Sequence, residues 1–175
     1  MKVWRCRICG DPYLGDEAPS QCPFCGAGRS YIILARDWED PAADTLSDTS
    51  RVNLEKALGL EVSNAEFYLA ASKEAEGANQ EVFAMFKALS KVEAEHAATI
   101  VKILKVEKPA VSHKPELARG GVLENIEESH AREERAIAFY AQAAEAAAEP
   151  RVKEMLNAFV EIEKTHLRLS EERLN

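Results

Sequence analysis

Four cysteines stand in two pairs of identical spacing, Cys6-x2-Cys9-Gly10 and Cys22-Pro23-x-Cys25-Gly26, with twelve residues between the pairs. Two residues between cysteines let one tight turn aim both sulfurs at a common point, and two such knuckles close a tetrahedral thiolate site. The glycine after each second cysteine frees the backbone to turn, so that amide N–H groups can point at sulfur. The pattern predicts a metal held by Cys6, Cys9, Cys22 and Cys25. Iron and zinc both accept four thiolates in a tetrahedron, so the spacing leaves the metal open.

A second constellation is spread over the rest of the chain and is revealed by an internal repeat. The stretch LEVSNAEFYLAA around residue 61 has a counterpart 72 residues later, EERAIAFYAQAA, which pairs Glu61 with Glu133, Phe67 with Phe139 and Tyr68 with Tyr140. VEAEHAATI is matched by IEKTHLRLS at an offset of 70, which pairs Glu93 with Glu163 and His96 with His166. Stepping by alternating threes and fours along each segment gives four apolar seams that are polar at their middles. They run Leu54, Leu58, Glu61, Ala65, Tyr68; Val82, Phe86, Leu89, Glu93, His96, Ile100, Ile103; Ile126, His130, Glu133, Ile137, Tyr140, Ala144; and Val152, Leu156, Phe159, Glu163, His166.

An unpaired buried carboxylate is costly, and these seams carry no Lys or Arg, so four glutamates at one level of a core need charge from outside the chain. A single glutamate on such a seam would be read as a solvated edge residue. Four of them, with two histidines, duplicated at matching offsets, are not explained that way. Two divalent metals match four carboxylates, and one Glu from each of two helices plus Glu-x-x-His from the other two is the di-iron or di-manganese carboxylate arrangement. The expected ligands are Glu61, Glu93, His96, Glu133, Glu163 and His166. Tyr68 and Tyr140 are expected in the core or hydrogen-bonded to a ligating carboxylate. His130 is expected at the core edge, not as a ligand. Glu66, Glu95, Glu134 and Glu161 fall off the seams and are expected in solvent, as is His113 between the two repeats.

The elements that must hold these groups follow from the breakers. All four cysteines fall within residues 1–41, whereas residues 42–108 contain no proline. A turn-rich metal module is therefore placed at 1–36, a polar linker at 37–50, and a helical domain at 51–175. About 36 residues bury too little apolar surface to fold alone, which assigns part of the module's folding free energy to its metal. Helices are expected over 51–77 and 80–106, with Gly77 as a stop and Asn79 as an N-cap. Pro109 and Pro115 make 107–119 a crossover, and helices at 121–148 and 151–174 meet at Glu149-Pro150. The predicted fold is mainly α: a four-helix bundle with one long connection, preceded by a small metal module.

The composition narrows the partners. The 175 residues carry a formal charge of −8, which opposes affinity for nucleic acid or an anionic membrane surface. No apolar run is long enough to span a bilayer and the first residues lack a signal-peptide pattern, so the expected location is the cytoplasm, where thiols stay reduced.

CRICG, CPFCG, the two E-x5-FY segments and the two Glu-x-x-His pairs together resemble the rubrerythrin family, with the rubredoxin-like module first, as in reverse rubrerythrins. The resemblance covers nearly the whole chain. It implies a rubredoxin-like iron module joined to a ferritin-like bundle with a carboxylate-bridged pair of irons. It further implies reduction of hydrogen peroxide to water, electrons entering through the rubredoxin-like iron from an NAD(P)H-linked reductase or a rubredoxin, and a homodimer in which one subunit's thiolate site could face the other's di-iron site. The sequence departs from the family pattern at Ala136, where familiar rubrerythrins carry a further glutamate. A ferroxidase or oxygen-reducing iron-handling protein, and a zinc-ribbon interaction protein with a structural bundle, are the competing expectations.

Overall fold

The computed structural model describes residues 1–40 and 45–175. The chain begins with three short antiparallel strands, β1 (Lys2–Cys6), β2 (Pro12–Gly15) and β3 (Ile32–Leu34), in the spatial order β2-β1-β3. Trp4 at the centre of β1 pairs with Tyr13 on one side and Leu34 on the other. Four long helices follow: α1 (Asp48–Ala75), α2 (Gln80–Leu104), α3 (Val122–Ala146) and α4 (Pro150–Leu174).

Local chemistry sets the helix ends. Ser47 caps α1 by accepting from the Ser50 amide, and Asn79 caps α2 by accepting from the Val82 amide. Gly77 takes a φ of 85°, the left-handed turn that stops the preceding helix, and Pro150 occupies the first turn of α4. The first helix starts at Asp48, so the linker expected over 37–50 ends earlier; its residues 41–44 lie outside the described residues. The Glu149 carboxylate accepts from the Ser47 amide and the Ser50 hydroxyl, which ties the start of α1 to the turn between α3 and α4.

α1 packs on α2 and α3 on α4 as two antiparallel hairpins, and α1 lies against α3. The crossover between the hairpins contains one 3-10 turn, Pro115–Leu117, that rests on α1. Buried apolar side chains form two clusters. One, with Phe67, Phe86, Leu89 and Ile126, fills one end of the bundle; the other holds Leu54, Ile100, Phe159 and Ile162 and continues into the metal module through Cys6, Ile8, Cys9, Cys22, Cys25 and Ile32. The module therefore shares its core with the bundle of its own chain, a source of folding free energy additional to a metal. Three apolar seam positions depart from expectation: Leu58, Ile103 and Ile137 are half-buried, while Ala57, Leu104 and Ala136 are buried in their place. A seam counted at 3.5 residues per turn drifts by about 20° per heptad on a straight helix, enough to exchange neighbours.

Candidate metal centres

Between the two apolar clusters, each helix delivers its polar residues to one point. Glu61, Glu93, Glu133, Glu163 and His96 are 0% exposed and His166 is 5% exposed. They form two groups: ligand atoms of Glu61, Glu93, His96 and Glu163 lie within 4.8 Å of one another, and so do those of Glu93, Glu133, Glu163 and His166. Glu93 and Glu163 belong to both. Glu93 directs Oε2 to His96 Nδ1 (3.1 Å) and Oε1 to His166 Nδ1 (3.1 Å). Glu163 directs Oε1 to His96 Nδ1 (3.4 Å) and Oε2 to His166 Nδ1 (2.8 Å). Two carboxylates that each give one oxygen to each half would be placed to bridge a pair of cations, and Glu61 and Glu133 each lie on one half, 3.4 and 4.0 Å from the respective imidazoles.

The donor set fits two cations. One oxygen of each glutamate (Glu61 Oε2, Glu93 Oε1, Glu133 Oε2 and Glu163 Oε1) is buried without a directed hydrogen bond, and all but Glu133 Oε2 face an imidazole nitrogen at 3.1–3.4 Å, so lone pairs are left that cations would take. The proton balance points the same way. Burial and Glu93 push Glu61 well above the usual carboxylate range, and burial and Glu163 do the same for Glu133. Burial also opposes ionisation of Glu93 and Glu163, but the imidazoles beside them outweigh it and hold both carboxyls low. Burial disfavours charged imidazoles, yet Glu61 beside His96 and Glu163 beside His166 raise both well above their ordinary value. Carboxyls and imidazoles raised in this way retain protons in the cluster, which two divalent cations would displace.

The tyrosines cross between the repeats. Tyr68 of α1 donates to Glu133 of α3, and Tyr140 of α3 donates to Glu61 of α1. Burial and the partnered carboxylate raise both phenols well above their ordinary value, so each keeps its proton and orients one terminal carboxylate. His130 bonds to Ser170 and stands apart from the cluster. Ala136 is fully buried among apolar groups and contributes no carboxylate.

The four cysteines form the other centre, and all are buried with free thiols. The Cys6–Cys25 and Cys9–Cys22 Sγ distances are 3.7 and 3.8 Å. A tetrahedron with metal–sulfur bonds of about 2.3 Å has edges of about 3.8 Å, so these sulfurs are already at ligating separation. Gly10 and Gly26 take φ of 86° and 77°, and amides of Ile8 and Asp11 point at the sulfurs of Cys6 and Cys9. Gly26 also lies against the bundle: a Cβ there would come within 3.2 Å of Ile162.

His96 links the two centres. His96 turns Nδ1 into the carboxylate cluster, and its Nε2 lies 2.9 Å from the Cys25 carbonyl oxygen. Motif spacing carried no signal for this contact, because residues 25 and 96 lie on different modules.

Two of the residues expected in solvent are not there. Glu134 and Glu161 are exposed as expected, but Glu95 is half-buried beside Asp11 and Lys102, where burial and Asp11 push its carboxyl up to about 7. Glu66 is buried, accepting from Lys114 (2.6 Å) and from the Ser112 hydroxyl (3.0 Å), so it ties the crossover to α1. Seam counting sees only the face a helix turns to other helices, and here a loop covers the back of α1. Burial raises the Glu66 carboxyl, but Lys114 and Ser112 outweigh it and hold it low. Glu66→Ala is therefore expected to cost about 1–2 kcal/mol of stability at neutral pH and to leave both bundle metals in place. A lowered folded pKa contributes fully above the unfolded value of about 4.3 and is lost as pH falls through the folded value, so the deficit should shrink in acid. Urea unfolding at neutral and acid pH, with metal analysis, checks both statements.

Four helices bringing four carboxylates and two imidazoles to one buried, pseudo-two-fold cluster define a ferritin-like carboxylate di-metal protein, here fused to a tetrathiolate module. The comparisons agree: residues 52–173 match the Rubrerythrin family, and residues 4–32 match the family described as "Rubrerythrin, rubredoxin-like domain". The chain belongs to the rubrerythrin family. It is similar to Reverse rubrerythrin-1 of Clostridium acetobutylicum, 32% identical over 113 residues that cover 59% of this chain, and it spans 62% of that relative's length. Family and donor sets agree on the cofactors, a pair of irons in the bundle and one iron or zinc on the cysteines. Among the described residues, no helix is long and apolar enough to cross a membrane.

Proposed function

We propose that this chain is a non-haem di-iron peroxidase. It reduces hydrogen peroxide to two waters with two protons and two electrons, and the electrons come singly through the tetrathiolate iron from an NAD(P)H-linked reductase or a rubredoxin. The observation that carries the reading is His96, with one ring nitrogen in the carboxylate cluster and the other on the Cys25 carbonyl. A ligating imidazole commonly gives its other N–H to a backbone carbonyl, and here that carbonyl belongs to a thiolate ligand, which suits electron transfer between the sites. When bound, the paired irons give up two electrons together and the tetrathiolate iron passes one at a time.

The chain's own groups have separable roles in this reading. Glu93 and Glu163 hold both cations, Tyr68 and Tyr140 fix the terminal carboxylates, and His96 joins the two sites within one chain, so the relay does not depend on a dimer. Of the six cluster residues, His166 alone retains exposure. It does so at a groove of about 470 Å³ that is apolar at Met85, Leu89, Val92 and Leu169 and polar at Gln21, Glu81, Thr165 and Arg173. The apolar part of these walls suits a small neutral oxidant such as peroxide.

Ala136 is the observation that favours an oxygen-reducing or ferroxidase reading, because it removes a carboxylate that could follow an iron's change of charge. Anaerobically reduced protein mixed with peroxide or with dioxygen in a stopped-flow spectrometer separates the two. Peroxide is expected to oxidise the pair at least about tenfold faster. Faster oxidation by dioxygen, with repeated turnover of added Fe(II), would replace this reading with the second.

A further inference from the structure

Three successive carbonyls of the first cysteine knuckle are each held by a different cation. Arg151 of α4 donates to the Ile8 carbonyl (2.5 Å), Lys102 of α2 to the Cys9 carbonyl (2.7 Å), and Arg5 of β1 to the Gly10 carbonyl (2.7 Å). The Arg5 guanidinium also stacks 3.8 Å from the Trp38 ring centre, which fixes its plane. Acidic groups offset part of this charge: Glu154 pairs with Arg7 (2.7 Å) and Arg151 (3.4 Å), and Asp11 and Glu95 lie 4.0 and 3.8 Å from Lys102.

The enclosed sulfurs make this charge matter. Ferric tetrathiolate carries one net negative charge and the ferrous form carries two. All four cysteines are at most 4% exposed, so the second charge is added in a poorly solvated place. Cations one peptide away favour the form with more negative charge. We propose that Arg5, Lys102 and Arg151 act as positioning residues for electron transfer, a cationic clamp on residues 8–10 that raises the reduction potential of the thiolate iron. Two of the three cations come from the bundle, so the site accepts an electron most readily when the module is seated on α2 and α4, where His96 meets Cys25. The reaction is a one-electron reduction of ferric to ferrous tetrathiolate by the external donor, reversed when the electron passes to the bundle irons.

The inference rests on the relay reading, and its test is separable from it. Zinc on the cysteines of protein purified from iron-replete cells would reject the relay; the clamp is tested on the full chain with iron loaded at that site. The readout is the ferric-thiolate visible absorption during potentiometric titration. At a fixed ambient potential, Arg151→Gln should lower the ratio of reduced to oxidised iron by about tenfold, which is about 59 mV for one electron, and Lys102→Met by about fivefold. Arg151→Gln should have the larger effect, because its side chain is 10% exposed against 54% for Lys102. Arg151→Lys should recover most of the loss. Glu154→Gln removes a neighbouring negative charge and should shift the ratio upward, whereas a purely structural latch predicts no rise. Ratios within twofold of the parent for both cation variants, or a fall in Glu154→Gln, would overturn the clamp.

Discussion

Replacing Glu93 by alanine should empty both bundle sites together. Glu93 gives one oxygen to the His96 side and the other to the His166 side, so a single substitution removes a donor from each half. Losing a partner outside the ligand shell costs about 10- to 100-fold in metal affinity, and loss of a bridging carboxylate should exceed that range for both metals. Tyr140→Phe is the matched comparison: it leaves every donor in place and removes only the bond that orients Glu61, so affinity should fall by about tenfold. Glu163→Ala should behave like Glu93→Ala, because Glu163 is the second shared carboxylate. Acid should act in the same direction in the parent protein. Protons retained in the cluster by its raised carboxyls and imidazoles compete with the cations, so affinity rises with pH and protons are released on loading. Anaerobic metal titration with a pH indicator measures occupancy and proton release in one experiment. Retention of two tightly bound metals by Glu93→Ala would end the bridging assignment.

Cys9→Ser should separate the two halves of the chemistry. Cys9 is buried with its sulfur 3.8 Å from Cys22, so serine there weakens the tetrathiolate site without reaching the carboxylate cluster. Turnover driven by a reductase should fall by more than about 100-fold, because electrons lose their entry point. Single-turnover oxidation of the chemically reduced bundle irons should stay within about twofold of the parent, because that step needs only the six bundle residues. Rapid-mixing and steady-state measurements on the same preparation give both numbers. Unimpaired steady-state turnover would reject the relay.

Periodicity and spacing made much of this molecule legible. The turns at Gly77 and Asn79, the proline start of α4, and the convergence of Glu61, Glu93, His96, Glu133, Glu163 and His166 all follow from local rules read along one chain. A repeated polar interruption in an apolar seam constrains a four-helix core strongly, because each buried carboxylate must meet a compensating charge. The cysteine knuckles are local in the same way: each pair of ligands is closed by one turn.

Contacts between segments distant in the chain follow no such rule. That Tyr68 serves Glu133 and not the glutamate of its own helix depends on how the two hairpins face each other. Glu66 looked exposed on its helix and is buried by a loop more than forty residues away. The seat of the metal module, with His96 on Cys25 and Lys102 and Arg151 on the first knuckle, joins residues whose separation no periodicity encodes. The gathering of these six residues at one buried point was readable in advance because burying charge is costly wherever it occurs. The contact between the two centres required the packed fold, because it depends on which surfaces come to lie against one another.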